Sequence, residues 1–455
     1  MINKIQRFLN PKSIALVGGG WTDSIVEANQ KMGYQGSIWR VNPSRDDFYK
    51  SVEELPSSPD AAFIVVPNHA VTTVVKSLNN IDAGGYVCFS AGFGELQTEE
   101  GDKLEEDLSQ VSNGLPFLGP NCYGYINYFD RVSLWPEKVS SDNPKKGIAI
   151  ISQSGGLCQC FIHNQRSLPI GYVISIGNQA GLTIEDLMEF LISDDRVTAF
   201  GIYAEEIKDL ERFSYLVQLS NSKNKPIAIL KAGASKFSKL MAPLHTDSNT
   251  GNDVEFNVFC KTYGIARCET FSIFMETLKV FHMCGSLSGN KILLCAGSAG
   301  YALMTGDVSR NIDLNFADIS ESSTDKLTQI LGPRVIISNP LDFQTRVWAN
   351  EDEFISMLQA LFESNFDIIV LMISYPPLFE KENTTGYDTP IDRLIKVSQQ
   401  YPNTTAAILC GLPEFWNKEV RDRCMENGVI PLQGHFEGLT ALSLAANLKL
   451  IKNNK

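Results

Sequence analysis

The stretch Ser13-Ile14-Ala15-Leu16-Val17-Gly18-Gly19-Gly20 decides how this chain is read. A short apolar run that stops at glycines and passes into a longer amphipathic stretch is the pattern of a buried strand, a tight turn and a helix. The same unit recurs along the chain. Runs at Ser37 to Val41, Ala61 to Val66, Gly85 to Ser90 and Leu115 to Leu118 predict the remaining strands of a doubly wound domain over residues 1–130. After the polar segment Ser140 to Lys146, the runs Gly147 to Ile151, Gly171 to Ser175, Ala199 to Tyr203 and Pro226 to Lys231 predict a second α/β domain over 145–285. Beyond the linker-like Ser286 to Asn290, the runs Lys291 to Ala296, Val335 to Ser338, Asp367 to Ile373 and Ala406 to Cys410 predict a third over 290–450, with a frayed tail from Leu450 to Lys455.

Composition agrees with this α/β reading. The 455 residues suit about three domains at roughly 150 residues each. The 44% apolar and 20% charged residues describe an ordinary folded chain. A formal charge of −13 argues against broad contact with a nucleic-acid backbone and leaves room for a local anion site. The ten cysteines form no CxxC pair, so neither a zinc site nor a disulfide framework is expected, and no metal ligand set stands out. The start lacks a secretory pattern and no apolar run is long enough to span a membrane, so a reducing cytoplasm is the expected location.

Three places carry chemistry. Gly18, Gly19 and Gly20 follow a strand and bring backbone N–H groups close to where a phosphate would sit, although a structural turn explains a glycine triplet equally well. The dinucleotide fingerprint fails because Asp23 takes its third glycine position. The second strand ends in Arg40-Val41-Asn42-Pro43, with a cation where an NAD enzyme needs an acid, so Arg40 suits a phosphorylated nucleoside better than NAD. Ser152-Gln153-Ser154-Gly155-Gly156 follows a strand and opens an apolar helix at Leu157. Ser154, Gly155 and Gly156 thus suit a phosphoryl group, with a plain tight turn as the alternative. His245 lies in the polar stretch Leu240 to Asp253, where a histidine is most often simply exposed. The stretch lacks the periodicity of a packed helix, so it reads as a movable loop. With Glu205, just past the strand Ala199 to Tyr203, as orienter, its imidazole would suit covalent phosphoryl transfer.

These residues, taken in order, resemble the NDP-forming acyl-CoA synthetase family, which includes ADP-forming acetate–CoA ligases and the succinyl-CoA synthetase α chain. The resemblance rests on Ser13 to Gly18, Val41-Asn42-Pro43, Val65-Val66-Pro67, Ser90-Ala91-Gly92-Phe93, Gly119-Pro120-Asn121-Cys122-Tyr123-Gly124 and Ser152-Gln153-Ser154-Gly155. It continues through Gly177-Asn178, Tyr203-Ala204-Glu205, Lys231-Ala232-Gly233, His245-Thr246 and Asn339-Pro340-Leu341-Asp342. It implies a CoA-binding Rossmann-like domain followed by two flavodoxin-like ligase domains. It further implies His245 as the phosphohistidine, Glu205 as its orienting carboxylate, and a phosphate turn at Ser154, Gly155 and Gly156. CoA would lie along Gly18, Gly19, Asn42, Pro43 and Pro67, with Asn121 and Cys122 near its thiol.

ATP and Mg2+ would be held by a separate ATP-grasp β subunit, for whose lysine and metal-binding carboxylates no counterpart stands in this chain, in an α2β2 assembly acting on a small carboxylate. The chain departs from the family pattern at Asp247, where a glycine usually follows His-Thr, at Gly181, where aspartate is common, and at Glu206. Asp247 keeps open a CoA-binding regulatory or scaffolding protein without phosphotransfer. A ligase of the branch acting on dimethylsulfoniopropionate is the other alternative, and an NAD-dependent oxidoreductase is disfavoured by the failed fingerprint. Trp348 would suit stacking on a cationic or aromatic acyl group, with packing at a helix start as the stronger reading. Arg346 would suit a substrate carboxylate or plain exposure.

Overall fold

Strands that are apolar on both faces must be covered on both faces, and helices following each strand provide the cover. In the computed structural model, which describes residues 2–246, 248–375 and 385–453, this principle is used three times. The chain divides into two compact units, Met1–Asn164 with Pro169–Tyr263, and Gln165–Leu168 with Gly264–Lys455.

The first unit holds two sheets. β1 (Ser13–Gly18), β2 (Ser37–Val41), β3 (Ala61–Val65), β4 (Tyr86–Cys88) and β5 (Phe117–Leu118) form a parallel sheet in the order β2-β1-β3-β4-β5. The second contains β6 (Tyr125–Asn127), β7 (Val132–Leu134), β8 (Gly147–Ser152), β9 (Ile170–Ser175), β10 (Val197–Ala204) and β11 (Ile227–Lys231), in the order β11-β10-β8-β9-β6-β7. Its first four strands are parallel, and the hairpin β6-β7 joins β9 antiparallel. That hairpin is absent from the sequence reading, because its strands are three residues each and carry little periodicity.

In the second unit, β12 (Ala266–Cys268) precedes a parallel sheet of β13 (Ile292–Ala296), β14 (Leu341–Asp342), β15 (Ile368–Ile373), β16 (Thr405–Cys410) and β17 (Val429–Gln433). Its order is β14-β13-β15-β16-β17. Gln165–Leu168 is tied to this unit by Arg166, which reaches the buried Glu276 at 2.9 Å. Lys279, buried on the same helix, lies 3.0 Å from that carboxylate, and burial lowers its pKa.

The strand expected at Val335 to Ser338 does not form. The edge strand is the short Leu341–Asp342, because Asn339 turns its amide to Ile292 and Ala317 carbonyls (2.8 and 2.9 Å) and its side-chain oxygen to the Leu294 N–H, tying the preceding segment down through a side chain. Nor is the tail frayed from Leu450, since the helix His435–Asn453 continues through it, and Asn454 and Lys455 lie outside the described residues.

All three sheets wind alike. In each, the first and third strands of its βα series lie side by side and the chain leaves them in opposite directions. That switch point, at the carboxyl ends of the strands, is where an open α/β sheet presents ligand-binding groups.

Candidate active site

At the second sheet, β8 and β10 part at this switch point, and the residues that follow them face a common task. After β10, Glu205 is buried (2% exposed) and its Oε1 lies 2.7 Å from His245 Nδ1. The Tyr203 hydroxyl donates to the same oxygen (3.4 Å), and Thr246 Oγ1 donates to Oε2 (2.6 Å). The hydrogen bond to the Glu205 carboxylate holds the His245 pKa above its ordinary 6.5, against partial burial that pulls it down. A ring whose Nδ1–H is given to a carboxylate presents Nε2 as its lone-pair atom.

His245 does not sit in a loop. It occupies the last turn of the helix Lys236–Thr246, whose Phe237, Leu240, Met241 and Leu244 are exposed. The expectation of a loop failed because the polar run from Thr246 onward masked the helical spacing of these four apolar residues. His245, Glu205 and Tyr203 line a cavity of ≈ 360 Å3 with Phe237, Met241 and Leu244. Lys231, at the end of β11, spends its ammonium on the Glu205, Ala232 and Thr250 carbonyls (2.7, 2.7 and 3.0 Å), fixing the backbone on either side of the site.

After β8, Ser152 Oγ donates to the Ser154 carbonyl (2.7 Å) and accepts from its N–H (3.2 Å), closing a turn. The helix that follows is Cys158–Ile162, five residues starting one position after Leu157, too short to add much of a dipole. An anion there would depend on the backbone N–H groups of Gly155 and Gly156, for which no acceptor is found among the described residues. Gly155 is obligatory, since a Cβ would enter the ring of Tyr123, whereas Gly156 faces open space.

The first sheet carries a cavity of ≈ 620 Å3, lined by Val65, Val66, Pro67, Asn68, Phe89, Ser90, Ala91, Asn121, Cys122 and Tyr123. Pro67, Asn121 and Cys122 are thereby brought together. Gly18 borders the same strand end: it pairs with Val65, adopts φ 119, and a Cβ there would strike the Val65 carbonyl. Asn42 donates to the Gly18 carbonyl (3.0 Å), and Pro43 follows it, so these residues cluster at the carboxyl end of β1 and β2. Gly19 and Gly20 leave open space.

Arg40 pairs with Asp23, approaches Thr22 Oγ1 at 3.3 Å and lies over the Phe48 ring at 4.2 Å, which leaves it a held, half-exposed cation. Burial pushes the Cys122 thiol far above its ordinary value, so it is a wall rather than a nucleophile.

Asn121, in the left-handed region at φ 57, joins the two sheets of this unit. Its amide donates to the His245 carbonyl (3.2 Å) and to Asn178 Oδ1 (3.4 Å). Asn178 in turn donates to Glu95 (2.6 Å) and Glu105 (2.8 Å), beside the cavity wall at Ser90-Ala91. Gln153, Asn178, Lys231, Thr246 and Ser248 were not singled out from the sequence for roles of their own. All but Ser248 lie in or beside quoted motifs, but a hydrogen-bonding role is invisible until the fold brings partners together. Gly181 has a local reason: any Cβ would meet the Phe117 carbonyl and ring. Asp247 and the side chain of Arg346 lie outside the described residues.

In the third sheet, Trp348 lines a cavity of ≈ 520 Å3 with Tyr301, Met372, Ile373, Ser374 and Tyr387 among others. It also stacks on Phe343 (6.0 Å) and donates to the Gly386 carbonyl (2.8 Å), so the packing role is present. Among the described residues no cluster of His, Cys, Asp or Glu suits a metal, and no helix is long and apolar enough to cross a membrane.

Residues 145–281 match a family described as the succinyl-CoA ligase like flavodoxin domain. The chain is 32% identical over 345 residues to an ADP-forming acetate–CoA ligase of Methanocaldococcus jannaschii, covering 73% of this chain and 48% of that protein. It is 30% identical over 332 residues to the subunit alpha of the ADP-forming acetate–CoA ligase I of Pyrococcus furiosus, covering 69% and 71%. The chain thus spans about half the length of the Methanocaldococcus relative. A solved structure described as the dinucleotide forming acetyl-coenzyme A synthetase 1 of Ca. Korarchaeum cryptofilum, apo form, superposes with a TM-score of 0.83 at 21% identity over 99% of this chain and 98% of that one, a likeness of fold.

Proposed function

The chain belongs to the ADP-forming acetate–CoA ligase family, and on that premise we propose that it is the α subunit of an ADP-forming acyl-CoA ligase, joining a small carboxylate to CoA. The observation that carries the reading is the 2.7 Å contact of His245 Nδ1 with Glu205. It leaves Nε2 as the lone-pair atom of a half-exposed ring, as a phosphoryl acceptor requires.

In the reaction proposed, the γ-phosphoryl of ATP passes to Nε2 as the bond to the ADP oxygen breaks. The substrate carboxylate oxygen then takes the phosphoryl as the N–P bond breaks, and the CoA thiolate displaces inorganic phosphate from the acyl carbon. Glu205 balances the charge that the ring gains on phosphorylation. The Ser154-Gly155-Gly156 turn offers backbone N–H groups to the phosphoryl oxygens without a fixed countercharge. CoA would lie in the cavity of ≈ 620 Å3 at the first sheet, with Pro67 along its path and Asn121 and Cys122 at its thiol end, and Arg40, outside that lining, would meet its phosphorylated nucleoside. Gly18, Gly19, Asn42 and Pro43 border that path.

Residues 1–130 would then be the CoA-binding domain, and 145–285 and 290–450 the two ligase domains. ATP and Mg2+ would belong to a separate ATP-grasp β subunit in an α2β2 assembly of the cytoplasm. The relative from Pyrococcus furiosus, itself named as a subunit alpha, supports a partner chain. The test is to incubate the chain with a candidate ATP-grasp chain from its own genome, a carboxylate panel and CoA, and to follow thioester and ADP. Thioester formation that requires both chains supports the reading. Thioester formation that persists in His245→Asn would sink it.

A further inference from the structure

Behind His245, four buried side chains close a ring of hydrogen bonds whose direction the donors themselves fix. Gln153 is 1% exposed, and its Oε1 accepts from the N–H groups of Glu205 (2.6 Å) and Glu206 (2.9 Å). Its amide nitrogen therefore faces Ser248 and donates to Oγ at 2.8 Å. Ser248 Oγ lies 2.8 Å from Thr246 Oγ1, with the Thr246 carbonyl a longer alternative at 3.4 Å. The Thr246 hydrogen is committed to Glu205 Oε2 at 2.6 Å, so between the two hydroxyls Ser248 is the donor. The run is one-way, from the Gln153 amide through Ser248 and Thr246 to the carboxylate, and it returns through the Glu205 backbone to Gln153. Hydrogen bonds aligned in one direction polarise one another, most of all when they end on a charge.

We propose that Gln153, Ser248 and Thr246 are positioning residues that clamp the Glu205 carboxylate and, through it, select the Nδ1–H tautomer of His245, leaving Nε2 as the reacting atom. This rests on the reading of His245 as a phosphoryl carrier, but its signature lies in the resting protein. Among the described residues Thr246 is the donor to Oε2, while His245 and Tyr203 share Oε1. Without the Thr246 hydroxyl, a carboxylate that is 2% exposed keeps one oxygen unpaired. It can then rotate or protonate, and either change frees the imidazole to adopt its other tautomer. Lys231 holds the Glu205, Ala232 and Thr250 carbonyls and Lys208 pairs with Glu206, so neither ammonium replaces the missing donor at Oε2.

The experiment uses the full chain labelled with 15N-histidine, the His245 signals being assigned by their loss in His245→Asn. The ring shifts of the unphosphorylated protein are read together with the rate of phosphate transfer from labelled ATP in the presence of the ATP-grasp chain. Wild type and Thr246→Ser should show the Nδ1–H form. Thr246→Val, nearly the same in shape, should show mixed tautomers and a phosphorylation rate roughly tenfold lower, the loss of one hydrogen bond to a charged group. Ser248→Ala, one step further back, should move the shifts the same way by less, and it carries the test if Thr246→Val fails to fold. Valine and alanine variants that keep wild-type ring shifts and rate would overturn the relay while leaving the phosphohistidine intact. Ring shifts that respond as expected in a chain that takes up no phosphate would uphold the relay and sink the phosphohistidine reading.

Discussion

After β8 and β10 of the second sheet, the switch point holds Gln153, the Ser154-Gly155-Gly156 turn, Glu205 and His245. After β13 and β15 of the third, it holds Gly297, Ser298, Ser374 and the ring of Trp348. The winding is the same at both. At the second sheet a buried carboxylate has every oxygen committed and a histidine set against it. At the third, a cavity of ≈ 520 Å3 has neither a carboxylate, a histidine nor a cation among its described lining residues. The fold determines where a site can be, and the residues placed there determine whether it does chemistry or shapes a space. If that division is right, substitutions at the second switch point should change rates with little effect on stability, and those at the third should do the reverse.

The largest effect expected is on rate. Glu205→Gln keeps the shape but removes the charge that holds the histidine, and phosphorylation should fall by about 10²-fold or more, as for other orienting carboxylates. It should also change the pH profile. Nucleophilic Nε2 exists only in the neutral ring, and the wild-type pKa is raised, so activity should rise with pH through a midpoint above 6.5. In Glu205→Gln that midpoint should move down, and a profile that stays where it was would separate the histidine from its carboxylate.

Next comes Trp348→Ala, which removes the ring stacked on Phe343 and packed edge-on to Phe354. It should lower stability by about 2 kcal/mol, less than the ~3–5 kcal/mol of a fully buried tryptophan. Phosphate uptake at His245 should change less than about threefold, which would be a small effect beside the hundredfold of Glu205→Gln. A melting curve and a labelling assay on the same preparation would expose any exchange of roles between the two sites.

The first sheet supplies an internal control. Gly18→Ala should destabilise by roughly 2 kcal/mol, because the left-handed φ and the Val65 carbonyl leave no room for a methyl group. Gly19→Ala, facing open space, should be nearly neutral in the same chemical denaturation series. Equal losses at both positions would mean that Gly18 is not strained in the way its surroundings imply.

How far the sequence could be read follows from the same contrast. β1 and β3 were legible nearly to the residue because a strand buried on both faces is a local apolar run, and β2, half-exposed at the sheet edge, because its run stops at Asn42-Pro43. β6 and β7 were not, being three residues long and held in the sheet only through the pairing of β6 with the distant β9. His245 and Glu205 were legible as types in a suggestive order, yet the helix around His245 was hidden by the polar residues after it. Thr246 and Ser248 were beyond reach. A hydroxyl that donates to a carboxylate forty-one residues earlier leaves no periodic trace, and only the fold shows which hydroxyls among many do so.

On the proposed reading, the second switch point works through a covalent phosphoryl group on His245. The direct measurement is acid-labile label from γ-labelled ATP, located by peptide mapping after incubation of the chain with a candidate ATP-grasp chain. Label is expected at Nε2 of His245, absent in His245→Asn and discharged by the carboxylate substrate with CoA. Label on another residue, or uptake undiminished in His245→Asn, would contradict it.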